Sequence, residues 1–300
     1  MKEFKSINEQ LEILRNRGLN VEDSDGLTLL RENYYSLING YKDPFLDKVA
    51  MESSSTDIYK EKTSLGWIYS LFKFDRELRQ LLFKYLILAE AYFKTASVYA
   101  FCKAHRKIDE YLNENAYCKP NELLVLKNYS GDKESLYRHN IDRLMRLFNK
   151  KIAKGKTKKA FINHYLKKGE PVPLWVLAND LTFGNILNFY QLLRPSERNA
   201  VSKYLYICSE KQDKRRFSPQ NILRGYGLLL YFRNICAHDE RLYCASKAND
   251  TFADMLDFIK LFLPSEVTKN IDKEIRLLTR KYCSRIHVIS RKQMNSLLGV

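Results

Sequence analysis

Glycine and proline are scarce in this chain, at 11 and 7 of 300 residues. A protein of many short strands needs more turn punctuation than that, so long helices are the natural architecture. Long apolar runs are missing too. The most apolar stretch, 81–93, is interrupted by Lys84 and Glu90 and falls short of the roughly 20 residues that span a bilayer. The N-terminal 15 residues mix charges with isolated apolar side chains and lack the apolar core of an export signal. The six cysteines (102, 118, 208, 236, 244 and 283) show no paired spacing, as expected of reduced thiols. These absences argue against an exported, disulfide-stapled or membrane-spanning protein; the expectation is a cytoplasmic chain with no membrane partner.

What the chain does have is apolar mass and positive charge. Hydrophobic residues make up 45%, enough to fold most of the chain around a core. Lys and Arg number 51 against 35 Asp and Glu, a net charge of +16. Such a surface attracts polyanions by counterion release, with nucleic acid the first candidate and an anionic membrane surface the second.

The helical pattern begins at Ser6, which can cap a helix over 6–17 with Ile7, Leu11 and Leu14 on one face. A second helix is predicted over 26–38, with Leu29, Leu30 and Tyr34 inward and a turn at Asn39-Gly40-Tyr41. The polar stretch 51–56 reads as a mobile loop. From Ser64 the pattern stays helical for about forty residues, with Leu71, Phe74, Leu78, Leu82, Tyr85 and Ala89 as a buried stripe. Charged Arg76, Glu77, Arg79 and Lys84 fall largely between them. Residues 107–135 are polar and irregular. A buried helix is predicted from Pro173 to Gly184, and another over 185–193. Ser218-Pro219 opens a further helix carrying Ile222, Leu223, Tyr226, Leu229, Leu230 and Phe232. Helices over 249–263 and 266–285 come next. The fold class is all-α.

One segment lacks acidic residues altogether. Between Arg143 and Lys168 lie ten basic residues: Arg143, Arg146, Lys150, Lys151, Lys154, Lys156, Lys158, Lys159, Lys167 and Lys168. Phe148, Phe161 and Tyr165 are interleaved, so the stretch could follow a phosphate backbone and stack bases. Its plainer reading is a solvated face.

The densest polar cluster is RNICAHDERLY, Arg233 to Tyr243, at the end of a long apolar helix. Arg there is costly unless that end meets a cleft, a partner or an anion. On a continuous helix the five-residue step from Arg233 to His238 is about 140°, so the two converge only if the helix ends near Cys236 or two copies meet in a dimer. Imidazole suits proton transfer near neutral pH, and guanidinium offers a planar fork for phosphate. Together they suit attack of a ribose 2′-hydroxyl on its neighbouring phosphate without a metal. Two plainer readings stay open: Arg and His that simply cap carbonyls and pair with Asp239 or Glu240, or Cys236, His238 and Cys244 as zinc ligands. The zinc spacing fits no common pattern and lacks a fourth ligand.

The chain resembles abortive-infection proteins of the AbiD/AbiF type in four ordered blocks. These are SINEQLEILRNRGL with ENYYSLINGYKDPF (6–19 and 32–45), WIYSLFKFDRELRQLLF (67–83, with Glu90 further along), PVPLWVLANDLTFGNILNFYQLL (171–193) and RNICAHDERLY. Asn179, with Asp180 next to it, stands where relatives often place an acidic residue. The family resembles the wider HEPN group, marked by an Arg, usually followed by a polar residue, four to six positions before a His. The resemblance implies one HEPN-type helical bundle with additional terminal helices: an N-terminal segment 1–60, a core 61–263 and a basic helical tail 264–300. It implies catalytic Arg233, His238 and Asn234: His238 moves protons, Arg233 binds the scissile phosphate and Asn234 orients one of them. No metal or cofactor is implied. It also implies a homodimer, an RNA substrate and a bound structured noncoding RNA. The RNA contacts expected on this reading are Lys150, Lys151, Lys154, Lys156, Lys158, Lys159, Lys167, Lys168 and Arg241. The leading expectation is therefore a metal-independent endoribonuclease of antiphage defence. The rival is an RNA-binding scaffold that grips phosphate without cutting. A membrane-surface effector would need 266–285 as an amphipathic basic helix, which Asp272 and Glu274 interrupt.

Overall fold

Ser6 opens the first helix as its pattern predicts. Its hydroxyl accepts the Glu9 N–H while the Glu9 carboxylate accepts the Ser6 N–H, a reciprocal cap that fixes the helix start. The computed structural model describes residues 3–54, 56–153, 155 and 159–300. Among these residues there are thirteen α-helices and no strand, so the all-α expectation holds. In chain order they are α1 (Ile7–Asn16), α2 (Gly26–Glu32), α3 (Leu65–Ala104), α4 (Lys133–Ile152) and α5 (Ala160–Lys168). Then come α6 (Leu174–Leu177), α7 (Phe183–Leu192), α8 (Pro195–Ser209) and α9 (Pro219–Ala237). The last four are α10 (Phe252–Phe262), α11 (Ser265–Thr268), α12 (Ile271–Ile286) and α13 (Arg291–Leu298). They form two compact units, and α3 and α9 each contribute to both.

The first unit combines the chain up to Phe83 with Ile235–Ala253 and Asn270–Val300. Leu71, Phe74 and Leu78 of the α3 stripe are fully buried here, with the Tyr282 ring of α12 edge-on to Phe74 at 6.1 Å. Glu77 of α3 accepts from Lys281 Nζ at 2.7 Å and from the Tyr282 hydroxyl at 2.5 Å. Two expectations fail near the N-terminus. The helix predicted over 26–38 breaks at Asn33, which sits at φ +61° while its side chain accepts the Tyr35 N–H at 2.8 Å. Asn tolerates this left-handed conformation because its amide can bond locally. Tyr35–Asn39 then forms a π-helical turn through the predicted turn site, and Leu30 is exposed instead of inward. Within the stretch expected as a loop, Ala50–Ser53 is a 3-10 turn, and Ser55 lies outside the described residues.

The second unit is Lys84–Asn234 with Asp254–Lys269, and its centre is an aromatic stack. Phe93 of α3 lies 4.1 Å from Tyr226 of α9, which lies 4.3 Å from Phe262 of α10, both nearly parallel. Pairs of this kind add about 0.5–1.5 kcal/mol beyond their buried area. The stack requires close approach at Gly225, where an added Cβ would meet Phe258 at 2.5 Å and Phe262 at 2.7 Å. Gly225→Ala therefore trades a helix-propensity gain of about 1 kcal/mol for overpacking of about 1–3 kcal/mol. A net loss in thermal stability is the expected result, and a raised melting temperature would refute this packing.

Several second-unit expectations also change. The helix predicted from Pro173 to Gly184 stops after Asp180; Thr182 then caps α7, accepting the Asn185 N–H at 3.3 Å. The stretch 107–135 holds three 3-10 turns and buries Tyr111, Tyr117 and Cys118. Helix α8 has no counterpart among the predicted elements.

Candidate functional site

Helix α9 starts at the predicted signal, with the Ser218 hydroxyl accepting the Asn221 N–H at 3.3 Å. Ile222, Tyr226, Leu229 and Phe232 bury one side of it. Polar groups appear only in its last turns. Arg233 is half-buried and donates from Nε at 3.3 Å and from Nη2 at 3.2 Å to the same Glu90 oxygen of α3. Its Nη1 donates to Asn234 Oδ1 at 3.2 Å. Arg233 and Asn234, paired on sequence grounds, are thus in contact, and Glu90 joins them.

The helix ends at Ala237, next to Cys236, and His238 is the first residue beyond it. The His238 side chain is exposed and has no hydrogen-bond or ion-pair partner among the described residues. The residues after His238 are held firmly within the first unit. Asp239 takes φ +56° and Glu240 N–H returns to Ile235 O at 3.2 Å, a left-handed helix ending. Asp239 accepts from Arg79 Nη2 and, at 3.5 Å, from Arg76 Nη2, which also donates at 2.8 Å to Glu32.

Beneath this lies a buried ion pair that the sequence did not reveal. Asp75 has no solvent exposure and Arg79 only 3%. Arg79 Nη1 donates to Asp75 Oδ2 at 2.7 Å and to the Glu240 carbonyl at 2.9 Å. Asp75 also accepts the Leu242 N–H at 2.8 Å, the Tyr243 N–H at 2.7 Å and the Tyr41 hydroxyl at 2.7 Å. Burial pushes the Asp75 carboxyl up, and these donors pull it back. The Asp75–Arg79 pair of α3 is therefore a clamp on the backbone that carries His238. The missed signal was spacing: Asp75 and Arg79 lie four apart on a helix whose neighbours Leu71, Phe72, Phe74, Leu78 and Leu82 are all buried. A charge pair inside so apolar a surround has no wet face to occupy.

A family model described as Abi-like protein matches residues 28–244, spanning the clamp and the His238 segment. The chain belongs to the Abi-like protein family. No curated protein and no solved structure matches it.

The other expected contacts divide. Lys150, Lys167 and Lys168 are exposed with no ion-pair partner among the described residues. Lys151 instead bonds Asp180 at 2.6 Å, and Lys159 lies 3.7 Å from the same carboxylate. Lys154, Lys156 and Lys158 lie outside the described residues. Phe148 is no base-stacking platform: it is fully buried, edge-on to Tyr111 at 5.1 Å. Asn179 donates to the carbonyls of Trp175 and Val176, closing a helix end. Arg241 bonds the Gly40 carbonyl at 2.8 Å and Asp43 at 2.9 Å, a tie within the first unit. Among the described residues, no three His, Cys, Asp or Glu side chains are placed to share a metal ion. Burial pushes the Cys236 thiol up to about 12. No described helix is long and apolar enough to cross a membrane.

Proposed function

We propose that this Abi-like protein acts in abortive infection as a metal-independent endoribonuclease of HEPN type. The observation that carries the reading is the combination at the end of α9. His238 is exposed and free of partners among the described residues, while the segment after it is anchored by the buried Asp75–Arg79 clamp. A proton carrier needs such placement: fixed backbone, unencumbered imidazole. In the proposed reaction His238 takes the proton of a ribose 2′-hydroxyl, whose oxygen attacks the adjacent phosphorus. The P–O5′ bond breaks and the leaving 5′ oxygen receives a proton. Arg233 stabilises charge on the phosphoryl oxygens. A base and an acid are both required and one protomer offers a single His here, so a homodimer pairing two His238 segments completes the site.

RNA enters as substrate and as a bound regulatory partner, attracted by the +16 charge and gripped by exposed lysines such as Lys150, Lys167 and Lys168. The test is product chemistry with purified protein. Cleavage is expected to persist in EDTA and to leave 2′,3′-cyclic phosphate and 5′-hydroxyl ends, because the site residues Arg233 and His238 supply a cation and a proton carrier and, among the described residues, no carboxylate cluster is placed to hold Mg²⁺. Products with 3′-hydroxyl ends, or activity that needs added Mg²⁺, would overturn the mechanism. RNA binding without any cleavage would instead identify a phosphate-gripping scaffold.

A further inference from the structure

We infer that Glu90 is a positioning residue that, with Asn234, turns Arg233 into a donor-only clamp for a phosphodiester. The inference rests on the ribonuclease reading for the reaction it serves, but its geometry lies wholly within the second unit. Arg233 has five N–H groups. The Nε–H and one Nη2–H go to a single Glu90 oxygen, and one Nη1–H goes to Asn234 Oδ1. One N–H on each Nη nitrogen is left without a partner among the described residues, and each can donate to a phosphate oxygen. Asn234 is exposed; with its carbonyl oxygen taken up by Arg233, its amide NH₂ adds donors beside them.

Glu90 is the rigid part of this arrangement. Its side chain is 12% exposed, on the longest helix of the fold, whereas that of Arg233 is 25% exposed. An arginine has four rotatable bonds, and free in a cleft it would sample many orientations. Gripping the Nε edge fixes the guanidinium plane and leaves the outer N–H groups facing the ligand. The pair is also neutral as a unit. Long-range attraction of RNA must then come from lysines elsewhere, and Arg233 contributes short-range geometry.

This separates Glu90 from a competing anion. If Glu90 only occupied the place of phosphate, substrate would have to expel it, and Glu90→Ala would bind RNA tighter and cut at least as fast. A positioning residue behaves otherwise. Glu90→Ala should lower kcat by about 10–100-fold through misplacement of the clamp, with KM for a long RNA little changed. Glu90→Gln keeps an oxygen acceptor for both N–H groups, so it should retain kcat within a few-fold.

The deciding experiment uses the full chain and two readouts. In the first, kcat and KM are measured for wild type, Glu90→Ala and Glu90→Gln, with melting temperatures as a control for folding. In the second, the Arg233 Nε–H resonance is followed by NMR, assigned through Arg233→Lys, during titration with a non-cleavable 2′-deoxy dinucleotide. The expected result is a protected Nε–H in wild type and Glu90→Gln, lost in Glu90→Ala, that stays protected when the dinucleotide binds. Release of that proton on binding, or absence of any Arg233-dependent binding, would overturn the clamp. Equal kcat loss in Glu90→Gln and Glu90→Ala would overturn the positioning role. Should the wild type not cleave RNA, the ribonuclease reading falls, while the NMR titration still decides the clamp.

Discussion

Replacing His238 by Ala is expected to lower RNA cleavage by about 10²–10⁴-fold while leaving the fold intact. The imidazole is exposed and has no polar partner among the described residues, so its removal orphans no buried donor or acceptor. Surface changes of this kind shift stability by about 0.5 kcal/mol or less. Arg233→Ala is a less clean test of chemistry, since it strips the largely buried Glu90 carboxylate of its partner. The measurement is the cleavage rate of a synthetic RNA by wild type and His238→Ala, with melting temperatures beside it. Cleavage at the wild-type rate in the variant would remove His238 from the chemistry. In cells the same variant should lose its effect on RNA integrity.

Much of the fold was legible because its strongest signals are local. The α3 stripe announces a forty-residue helix, and the structure begins it at Leu65 and ends it at Ala104. Ser6 and Ser218 mark helix starts by capping chemistry that needs no tertiary context. The errors arise where distant residues decide. The segment around Tyr111 is polar on average, yet Tyr111 is buried against Phe148, so both irregular chain and basic helix acquire core roles that neither shows alone. Lys151 belongs to a run free of acids, but Asp180, 29 residues on, supplies the missing charge. At Asn33 a single left-handed residue splits a plausible helix, because its side chain offers the next turn a better bond.

The candidate site divides in the same way. Arg233, Asn234 and His238 stand out as polar residues closing an apolar helix, and the structure adds the contact between the first two. Their supports did not stand out. Arg79 reads as one of the charges between the buried positions of the α3 stripe and Asp75 is not singled out at all, whereas packing of the chain around Tyr41 and Leu242 buries both. The apolar neighbours of an i,i+4 pair are what mark it as wet or dry, and its energetic role differs greatly between the two.

That difference sets the largest stability effect expected in this molecule. Asp75→Ala would leave the Leu242 and Tyr243 N–H groups and the Tyr41 hydroxyl without their shared acceptor, and the Arg79 guanidinium without its closest counter-charge. Breaking one side of a buried pair costs about 3–5 kcal/mol, which for a chain of this size corresponds to a fall in melting temperature on the order of 10 °C. Asp75→Asn retains one oxygen acceptor but not two, and loses the charge, so it should fall between. The double variant Asp75→Leu with Arg79→Met removes both charges and should recover part of the loss, because no uncompensated ion remains. The consequence for function is as specific. With Asp75 gone, the segment from Asp239 to Tyr243 loses the ties that fix the residue before it. Hydrogen exchange at the Leu242 and Tyr243 amides should accelerate towards that of open chain, and cleavage should fall even at temperatures where the variant stays folded. An Asp75→Ala protein that melts within a degree or two of wild type, with both amides still protected, would show that the clamp does not hold the His238 segment.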